Sequence, residues 1–411
     1  MVENQYDLGI IGAGPAGYTA GLHARKLGKS VVMFEKEDVG GVCLNRGCIP
    51  TKTILHSAET FAQLNCASEL GIFVENPKVD FSAVMAHKNS VVEKLRKNLE
   101  LTIKNAKIEV IKVEAKLVDK NTIEANGEKF NCSKIIVATG STPRELPNIK
   151  FDHNFILSSD DILQLTELPK SIAIIGSGAI GLEWARIFSD FGVEVTIIEV
   201  GKNLLPIADI EVSKRIERIF KQRKIKFYTQ TSVEKIENNT LTLSNSEVLM
   251  PEKVLLSVGR VARDSEKLDG VEYLGDTSGE IQLAHFAMKQ AVQTIENIAF
   301  NKKLVPSVIY GTPEIAWIGE CEQNLEVGTF EKSTLLISAL GKSHCDNCTE
   351  GFIKILSRNG KILGAHIVSK EASSLIHQIL IAMQNDIPLN KIQEICFAHP
   401  TYSEGIWELS F

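Results

Sequence analysis

Short uninterrupted apolar runs alternate along this chain with stretches whose apolar positions recur at helical spacing. Residues 8–11 form an apolar run that stops at Gly12-Ala13-Gly14-Pro15-Ala16-Gly17, and residues 18–27 then take up a helical period. A second apolar run, 30–34, ends at Glu35. Runs apolar on both faces, joined through a glycine turn and a helix, predict parallel strands covered by helices. Residues 51–64 and 81–106 predict two long helices, the second with a charged outer face. A further buried strand, 134–138, stops at Thr139-Gly140-Ser141-Thr142-Pro143, and Pro143 with Pro147 marks a crossing into another unit.

The same order then starts again. A strand at 172–175 leads into Gly176-Ser177-Gly178-Ala179-Ile180-Gly181 and a helix at 182–191, and a closing run at 254–258 ends in Gly259-Arg260, as the earlier one ends at Gly140. Glu35 lies 23 residues after Gly12, and Glu199 lies 23 after Gly176. One G-x-G-x-x-G is often only a turn. Two in a shared register, each between a strand and a helix and each followed by an acid, predict two dinucleotide sites. In such a site the turn lets a pyrophosphate approach the helix N-terminus, and the acid accepts from a ribose. For Glu199 an ordinary solvated glutamate is the competing reading. Past Arg260 come Tyr273-Leu274-Gly275-Asp276 and a helix opened by Leu283-Ala284-His285. From residue 301 the texture changes to sheet, at 306–310 and 313–319 and in alternating strands to 368, with two helical runs after it.

Composition narrows the class. A chain of 411 residues, 44% hydrophobic and 23% charged, is globular and too long for one core, so two or three domains are expected. A net charge of −6 argues against nucleic acid or an anionic membrane as the main partner. No apolar run approaches the roughly 20 residues that span a bilayer. The N-terminus runs into its first strand without a signal-peptide pattern, and eight scattered cysteines are not a secreted disulfide framework. The expected compartment is a reducing cytoplasm, where a disulfide is usually catalytic.

Two of those cysteines stand in Gly40-Gly41-Val42-Cys43-Leu44-Asn45-Arg46-Gly47-Cys48-Ile49-Pro50-Thr51-Lys52. Spacing alone fits a reduced pair or half of a zinc site. No second pair lies nearby to complete a tetrahedral site, and a dinucleotide fingerprint stands just upstream, so the pair reads as a redox-active disulfide. The bridge needs Cα atoms within roughly 7 Å. A first helical turn distorted at Gly40, Gly41 and Gly47 can supply that approach. Pro50 fits only near a helix start, which puts Cys48 where unpaired N–H groups favour a thiolate. His399-Pro400-Thr401-Tyr402-Ser403-Glu404 carries a second set. Pro400 is expected to keep His399 out of helical geometry and to begin the helix behind it. Glu404 then reaches back to one imidazole nitrogen and leaves the other as a base. Alone, such a pair is more often a solvated surface contact. Cys345-Asp346-Asn347-Cys348 beside His344 lacks a fourth zinc ligand and a helix-opening context, and Cys396 lacks a resolving partner, so no metal site is expected.

The cysteine segment resembles the active-site stretch of the class I pyridine nucleotide-disulfide oxidoreductases. Its form Cys-Leu-Asn-Arg-Gly-Cys-Ile-Pro-Thr-Lys looks most like the dihydrolipoamide dehydrogenase branch, here shortened. The segment at His399 matches that family's His-Pro-Thr-x-Ser-Glu. The resemblance covers nearly the whole chain and implies an α/β protein with two Rossmann-like domains and an α+β interface domain. The implied parts are an FAD domain at 1–145, an NAD domain at 146–264, a return to the FAD domain at 265–300, and an interface domain at 301–411 that makes a homodimer. It implies that FAD is held by Gly12, Gly14, Pro15, Ala16, Gly17, Glu35, Lys52, Thr139, Gly140, Asp276, Leu283, Ala284 and His285. Asp276 would hold the ribityl chain, and the helix N-terminus would lie under the flavin. NAD, a substrate, would meet Gly176, Gly178, Ala179, Ile180, Gly181, Glu199 and Gly259, with the acid at Glu199 favouring NAD over NADP. The implied catalytic set is Cys43, Cys48, His399 and Glu404, with Lys52 paired to Glu183 near flavin N5.

The implied reaction is oxidation of dihydrolipoamide by NAD through FAD and a Cys43–Cys48 disulfide. Its carrier would be a lipoyl-bearing protein of a 2-oxo acid dehydrogenase or glycine cleavage complex. A reductase of another disulfide using NADH or NADPH, and a redox sensor with vestigial turnover, are the alternatives. A mercuric reductase would show an extra C-terminal cysteine pair, which is absent. The stretch between Arg260 and Tyr273 is shorter than the family's, so loss of the strand pair linking the two nucleotide domains is expected. Only seven residues follow Glu404, which shortens the expected dimer contacts.

Overall fold

The computed structural model describes residues 4–263 and 266–410. The first unit runs β1 (Gln5–Ile11), α1 (Pro15–Lys26), β2 (Val31–Glu35), α2 (Gly41–Arg46), α3 (Cys48–Cys66), α4 (Phe81–Asn105), β3 (Glu109–Lys112), β4 (Lys116–Asp119), β5 (Thr122–Ala125) and β6 (Glu128–Val137). Its sheet has the order β3-β2-β1-β6-β5-β4. The first four strands are parallel, and β4, β5 and β6 form an antiparallel meander. The central strands are apolar on both faces because helices cover one side and the meander's own cluster, around Phe34, Ile123 and Phe130, fills the other.

After β7 (Ser141–Pro143) comes a second unit: β8 (Ile156–Leu157), β9 (Ser171–Ile175), α5 (Ala179–Asp190), β10 (Glu194–Ile198), α6 (Ile210–Gln222), β11 (Lys226–Tyr228), the antiparallel trio β12 (Val233–Glu237), β13 (Thr240–Leu243) and β14 (Val248–Leu249), and β15 (Lys253–Leu256). The parallel sheet has the order β11-β10-β9-β15-β8. The repeat read from the sequence extends to single hydrogen bonds. Gly12 N–H donates to Phe34 O and Gly176 N–H to Ile198 O, both at 2.8 Å, while Ala138 N–H donates to Ile11 O and Ser257 N–H to Ile175 O, again both at 2.8 Å.

The expected loss of a linking strand pair is corrected by β16 (Arg260–Ala262), which lies antiparallel to β7. Arg260, Val261 and Ala262 pair with Pro143, Thr142 and Ser141, so the pairing residues are present. Arg260 reinforces them, donating through Nε to Ser141 Oγ at 2.8 Å and through Nη2 to Ser141 O at 2.9 Å. Then β17 (Glu272–Tyr273) joins β6 in parallel, and α7 (Ala284–Glu296) packs along α1, returning to the first unit.

The third unit holds β18 (Ser307–Ile309), β19 (Glu314–Gly319), β20 (Glu331–Leu336), α8 (Gly341–Cys345), β21 (Phe352–Arg358), β22 (Lys361–Ser369), α9 (Ala372–Gln384) and α10 (Glu404–Glu408). Its antiparallel sheet has the order β18-β19-β22-β21-β20, with Leu375, Ile376 and Ile379 of α9 in the core beneath it. Pro400 does not begin a helix as expected. Buried Tyr402 holds residues 401–403 as a loop, and α10 starts only at Glu404.

The second and third units are fastened by a buried charge cluster. Lys354 of β21, fully buried, places Nζ 2.7 Å from Asp209 Oδ1, 2.5 Å from Glu322 Oε2 and 3.5 Å from Glu211 Oε2. Asp209 also caps α6, accepting from Glu211 N–H, and accepts from Glu322 N–H at 2.8 Å. These three acids are the only group spaced to hold a metal among the described residues, and the lysine ammonium lies among them. Burial raises the Asp209 carboxyl, but His366 and Lys354 more than offset it and hold the group below its ordinary value.

Removing one member of such a cluster leaves buried charge unpaired, typically at about 3–5 kcal/mol. Lys354→Met should therefore lower the denaturant midpoint clearly, and adding Asp209→Asn to it should cost less than the two single losses combined. A depressed carboxyl contributes stability above its unfolded pKa and loses it as pH falls through the folded one, so the deficit should narrow in acid. An unchanged midpoint for Lys354→Met at neutral pH would remove this cluster as a fastening.

Candidate functional site

The two glycine turns are built alike. Gly12 has φ +101° and Gly176 +98°, and a Cβ on either would stand 2.4 Å from Ala138 O or 2.7 Å from Ser257 O. No side chain fits there, so the amides opening α1 and α5, after Gly14 and Gly178 as N-caps, stay accessible to an anion. Gly17 and Gly181 let each helix press on its own turn. The acids brace the turns. Glu35 accepts from Ala13 N–H at 2.8 Å and from Glu37 N–H at 2.9 Å. Glu199 accepts from Ser177 N–H at 2.9 Å, Ser177 Oγ–H at 2.6 Å and Gly201 N–H at 2.6 Å. It is buried, not solvated as the competing reading had it. Three of its roughly four acceptor positions are taken by its own chain.

Between the first two units lies a cavity of about 620 Å³. Gly12, Gly14, Pro15, Ala16 and Glu35 line it with Thr139, Gly140, Asp276, Leu283 and Ala284. Cys43, Cys48, Lys52 and Glu183, with Ala179 and Ile180 at the start of α5, complete its wall. The wall is tied together from both ends of the first unit. Gly140 N–H donates to Thr277 Oγ1 at 2.7 Å, and Ser141 Oγ, itself gripped by Arg260, donates to Asp276 Oδ2 at 2.5 Å. Gly17 packs on its turn, and His285 sets Nε2 2.9 Å from Pro306 O; Gly176, Gly178, Gly181, Glu199 and Gly259, expected at the second dinucleotide site, lie outside this cavity's lining.

Cys48 opens α3, and Lys52 stands one turn later. Asn45 pins the loop before it, donating through Nδ2 to Val39 O and Gly41 O, each at 3.0 Å. Both cysteines are unbridged thiols here, the reduced form of the expected disulfide. The Cys43 thiol donates to Cys48. That hydrogen bond, opposed by burial and reinforced by the Lys52 ammonium, brings Cys48 down to about 7. The same bond, followed by burial, pushes Cys43 far up. Lys52 Nζ donates to Glu183 at 2.9 and 2.8 Å. Although burial opposes it, Glu183 holds the ammonium above its ordinary value. Glu183 Oε1 also accepts from Tyr310 N–H at 3.1 Å, and the Tyr310 ring centroid stands 4.8 Å from Lys52 Nζ.

His399 Nδ1 lies 2.7 Å from Glu404 Oε1, and Glu404 Oε2 accepts from Thr401 N–H at 2.7 Å. The Thr401 amide, then His399, holds the Glu404 carboxyl below its ordinary value. The His399 side chain is 76% exposed, and neither residue lines the cavity, so one chain does not bring this pair to its own cysteines. Cys345 and Cys348 sit in the closing turn of α8, where Cys348 N–H donates to Ser343 O and His344 Nε2 is engaged with Ser338 O. Reading the sequence missed Ser177, Thr277, Ser141, Arg260 and Tyr310. Ser177 alone had a local signal, a hydroxyl inside a glycine turn; the others meet their partners only through the fold.

The model of the pyridine nucleotide-disulphide oxidoreductases matches residues 6–295, and that of the dimerisation domain of the same family matches residues 305–410. A dihydrolipoyl dehydrogenase of Mycoplasma genitalium is 34% identical over 98% of this chain and 97% of its own length. LpdA of Mycobacterium tuberculosis has the same fold, with a TM-score of 0.91 at 22% identity over 99% of both chains. A Cu(II) complex of the HOCl-induced flavoprotein disulfide reductase RclA of Escherichia coli superposes with a TM-score of 0.87 at 25% identity, also over 99% of both chains. With two Rossmann-like nucleotide domains, a C-terminal dimerisation domain and a dithiol at the cavity between the first two, the chain belongs to the pyridine nucleotide-disulphide oxidoreductases, the flavin-dependent disulfide oxidoreductases.

Proposed function

We propose that the protein oxidises dihydrolipoamide borne on a lipoyl protein, with NAD as acceptor, and that it does so as a cytoplasmic homodimer. The observation that carries this reading is the acidic Cys48 thiol at the start of α3, facing the cavity beside the Lys52–Glu183 pair. FAD fits that cavity. The glycine-bounded N-terminus of α1, Glu35 for a ribose and Asp276 for a polyol chain offer donors and acceptors for a dinucleotide in the cavity lining. When bound, FAD supplies the electron relay between Cys48 and the nicotinamide.

The chain's own residues do the rest. In the disulfide form, a substrate thiol loses its proton to His399 and attacks Cys43 Sγ. The Cys43–Cys48 bond breaks, Cys48 leaves as the thiolate that Lys52 and the helix start stabilise, and a mixed disulfide joins substrate to Cys43. The second substrate thiol then attacks the substrate sulfur of that mixed disulfide, its proton passing to the departing Cys43 sulfur, which releases Cys43 as a thiol and closes the oxidised ring. Glu404 fixes the tautomer of His399 so that Nε2 serves as base. His399 stands away from its own chain's cavity, so the reading draws the base from a second copy, docked through the domain at 305–410. Glu199, an acid with no phosphate-binding cation in its place, supports NAD over NADP.

Steady-state turnover of dihydrolipoamide with NAD should exceed both turnover with NADP and reduction of glutathione disulfide by NADH or NADPH; dominance of either of the latter refutes the substrate assignment. Because Glu199 also braces its turn, Glu199→Ala should raise KM for NAD and lower the melting temperature together. Cys48→Ser and His399→Ala should each be nearly inactive, yet coexpressed they should regain up to about a quarter of wild-type activity, because random pairing gives half heterodimers with one working site of two. Mixed dimers that form and stay inactive would assign His399 to its own chain or to no chemistry. In the reduced protein, alkylation of Cys48 should reach half its plateau rate near pH 7 and Cys43 should respond only at higher pH; the reverse order would exchange their roles.

A further inference from the structure

We infer that Tyr310 is a positioning residue for the thiol chemistry, its ring face holding the Lys52 ammonium beside Cys48 while its amide holds Glu183 in place. The inference rests on the reading of Cys48 as the reactive thiol. Lys52 ends a flexible four-carbon stem between two anionic attractors, Glu183 and the Cys48 thiolate. Glu183 takes two hydrogen bonds from the ammonium at 2.8 and 2.9 Å, and an ammonium drawn wholly onto that carboxylate would shield Cys48 poorly. Tyr310 acts on both members. Its N–H donates to Glu183 Oε1 at 3.1 Å, and its ring, with centroid 4.8 Å from Nζ, attracts the cation through its π face without adding another formal charge.

Position supports the assignment. Lys52 lines the large cavity, whereas Tyr310 does not; it borders a small separate void with Leu182, Ile309 and Pro313. The ring therefore meets the ammonium from the third unit and not as part of the cavity lining. Tyr310 follows β18, so the third unit reaches a pair formed by α3 and α5. The titratable groups that interact with the two thiols are each other, Lys52, Glu183, Tyr310 and Tyr18 of α1. Among these neighbours, Lys52 is the one cation.

The test isolates Cys48 in a Cys43→Ser background, where the serine hydroxyl still offers a donor. Iodoacetamide alkylation of the Cys48 peptide is followed against pH by mass spectrometry, with flavin content and melting temperature as controls. Tyr310→Phe should leave the inflection in place. Tyr310→Leu should raise it by about half to one pH unit, as weakening of the cation contact destabilises the thiolate. If Tyr310→Leu does not fold, 3,4,5-trifluorophenylalanine at 310 keeps the ring's shape, drains its π density and should shift the inflection the same way. An inflection unmoved by leucine or by fluorination overturns the inference, and equal shifts in Tyr310→Phe and Tyr310→Leu overturn it in favour of the hydroxyl. An ordinary thiol inflection in the parent protein would instead sink the underlying assignment of Cys48.

Discussion

A half-buried ammonium favours a counter-charge, and the Lys52–Glu183 pair supplies one from another part of the chain. Glu183 is almost wholly buried on α5, and Lys52 emerges from α3. An unpaired charge at the depth of Glu183 is costly. The pair therefore couples two folded units electrostatically at the spot where the thiols sit, and the third unit joins through Tyr310. Apolar packing runs alongside it. Ile54, Leu55 and Ala58 of α3 share one buried cluster with Trp184, Ala185 and Phe188 of α5 and with Ile309 and Ile315 of the third sheet. Misplacing any one unit would thus disturb the environment of Cys48.

The cavity follows from the repeat. In a parallel sheet the strands' C-terminal ends and the helix N-termini fall on one edge, where ligands of such sheets bind. Here the first unit's edge meets the second unit's, and the β7–β16 ribbon holds them together. Arg260 in that ribbon is half-buried, and its grip on Ser141 fixes the hydroxyl that donates to Asp276. A strand pair that looks like a mere connector thus orients a residue of the cavity wall.

Much of this was legible in the sequence because it is local. The glycine turns, the strand ends at Glu35 and Glu199 and the helix start at Cys48 are each set by a few adjacent residues whose geometry admits little else. The third unit was legible only as texture, since its sheet is closed by a long-range pairing of β19 with β22. The β7–β16 link was misjudged because the missing residues were assumed to include the pairing ones. The helix start near His399 was misplaced because buried Tyr402 outweighs the helix-opening preference of Pro400. Lys354 inside an acid cluster and Tyr310 over Lys52 depend on contacts between distant elements, which no spacing rule addresses.

The return of the chain to its first unit has a further consequence. β17 and α7 complete that unit, yet they are encoded after the whole of the second. During synthesis from the N-terminus, α1 therefore emerges from the ribosome with the face that α7 will cover still open to water, and β6 lacks its last neighbour. The second unit's parallel sheet has all its strands once β15 has appeared, although α5 and Asp209 still await the third unit. The order of sheet completion is thus inverted relative to the order of translation, and the nascent chain carries an apolar, unfinished first unit through the interval in which holdase chaperones have most to bind.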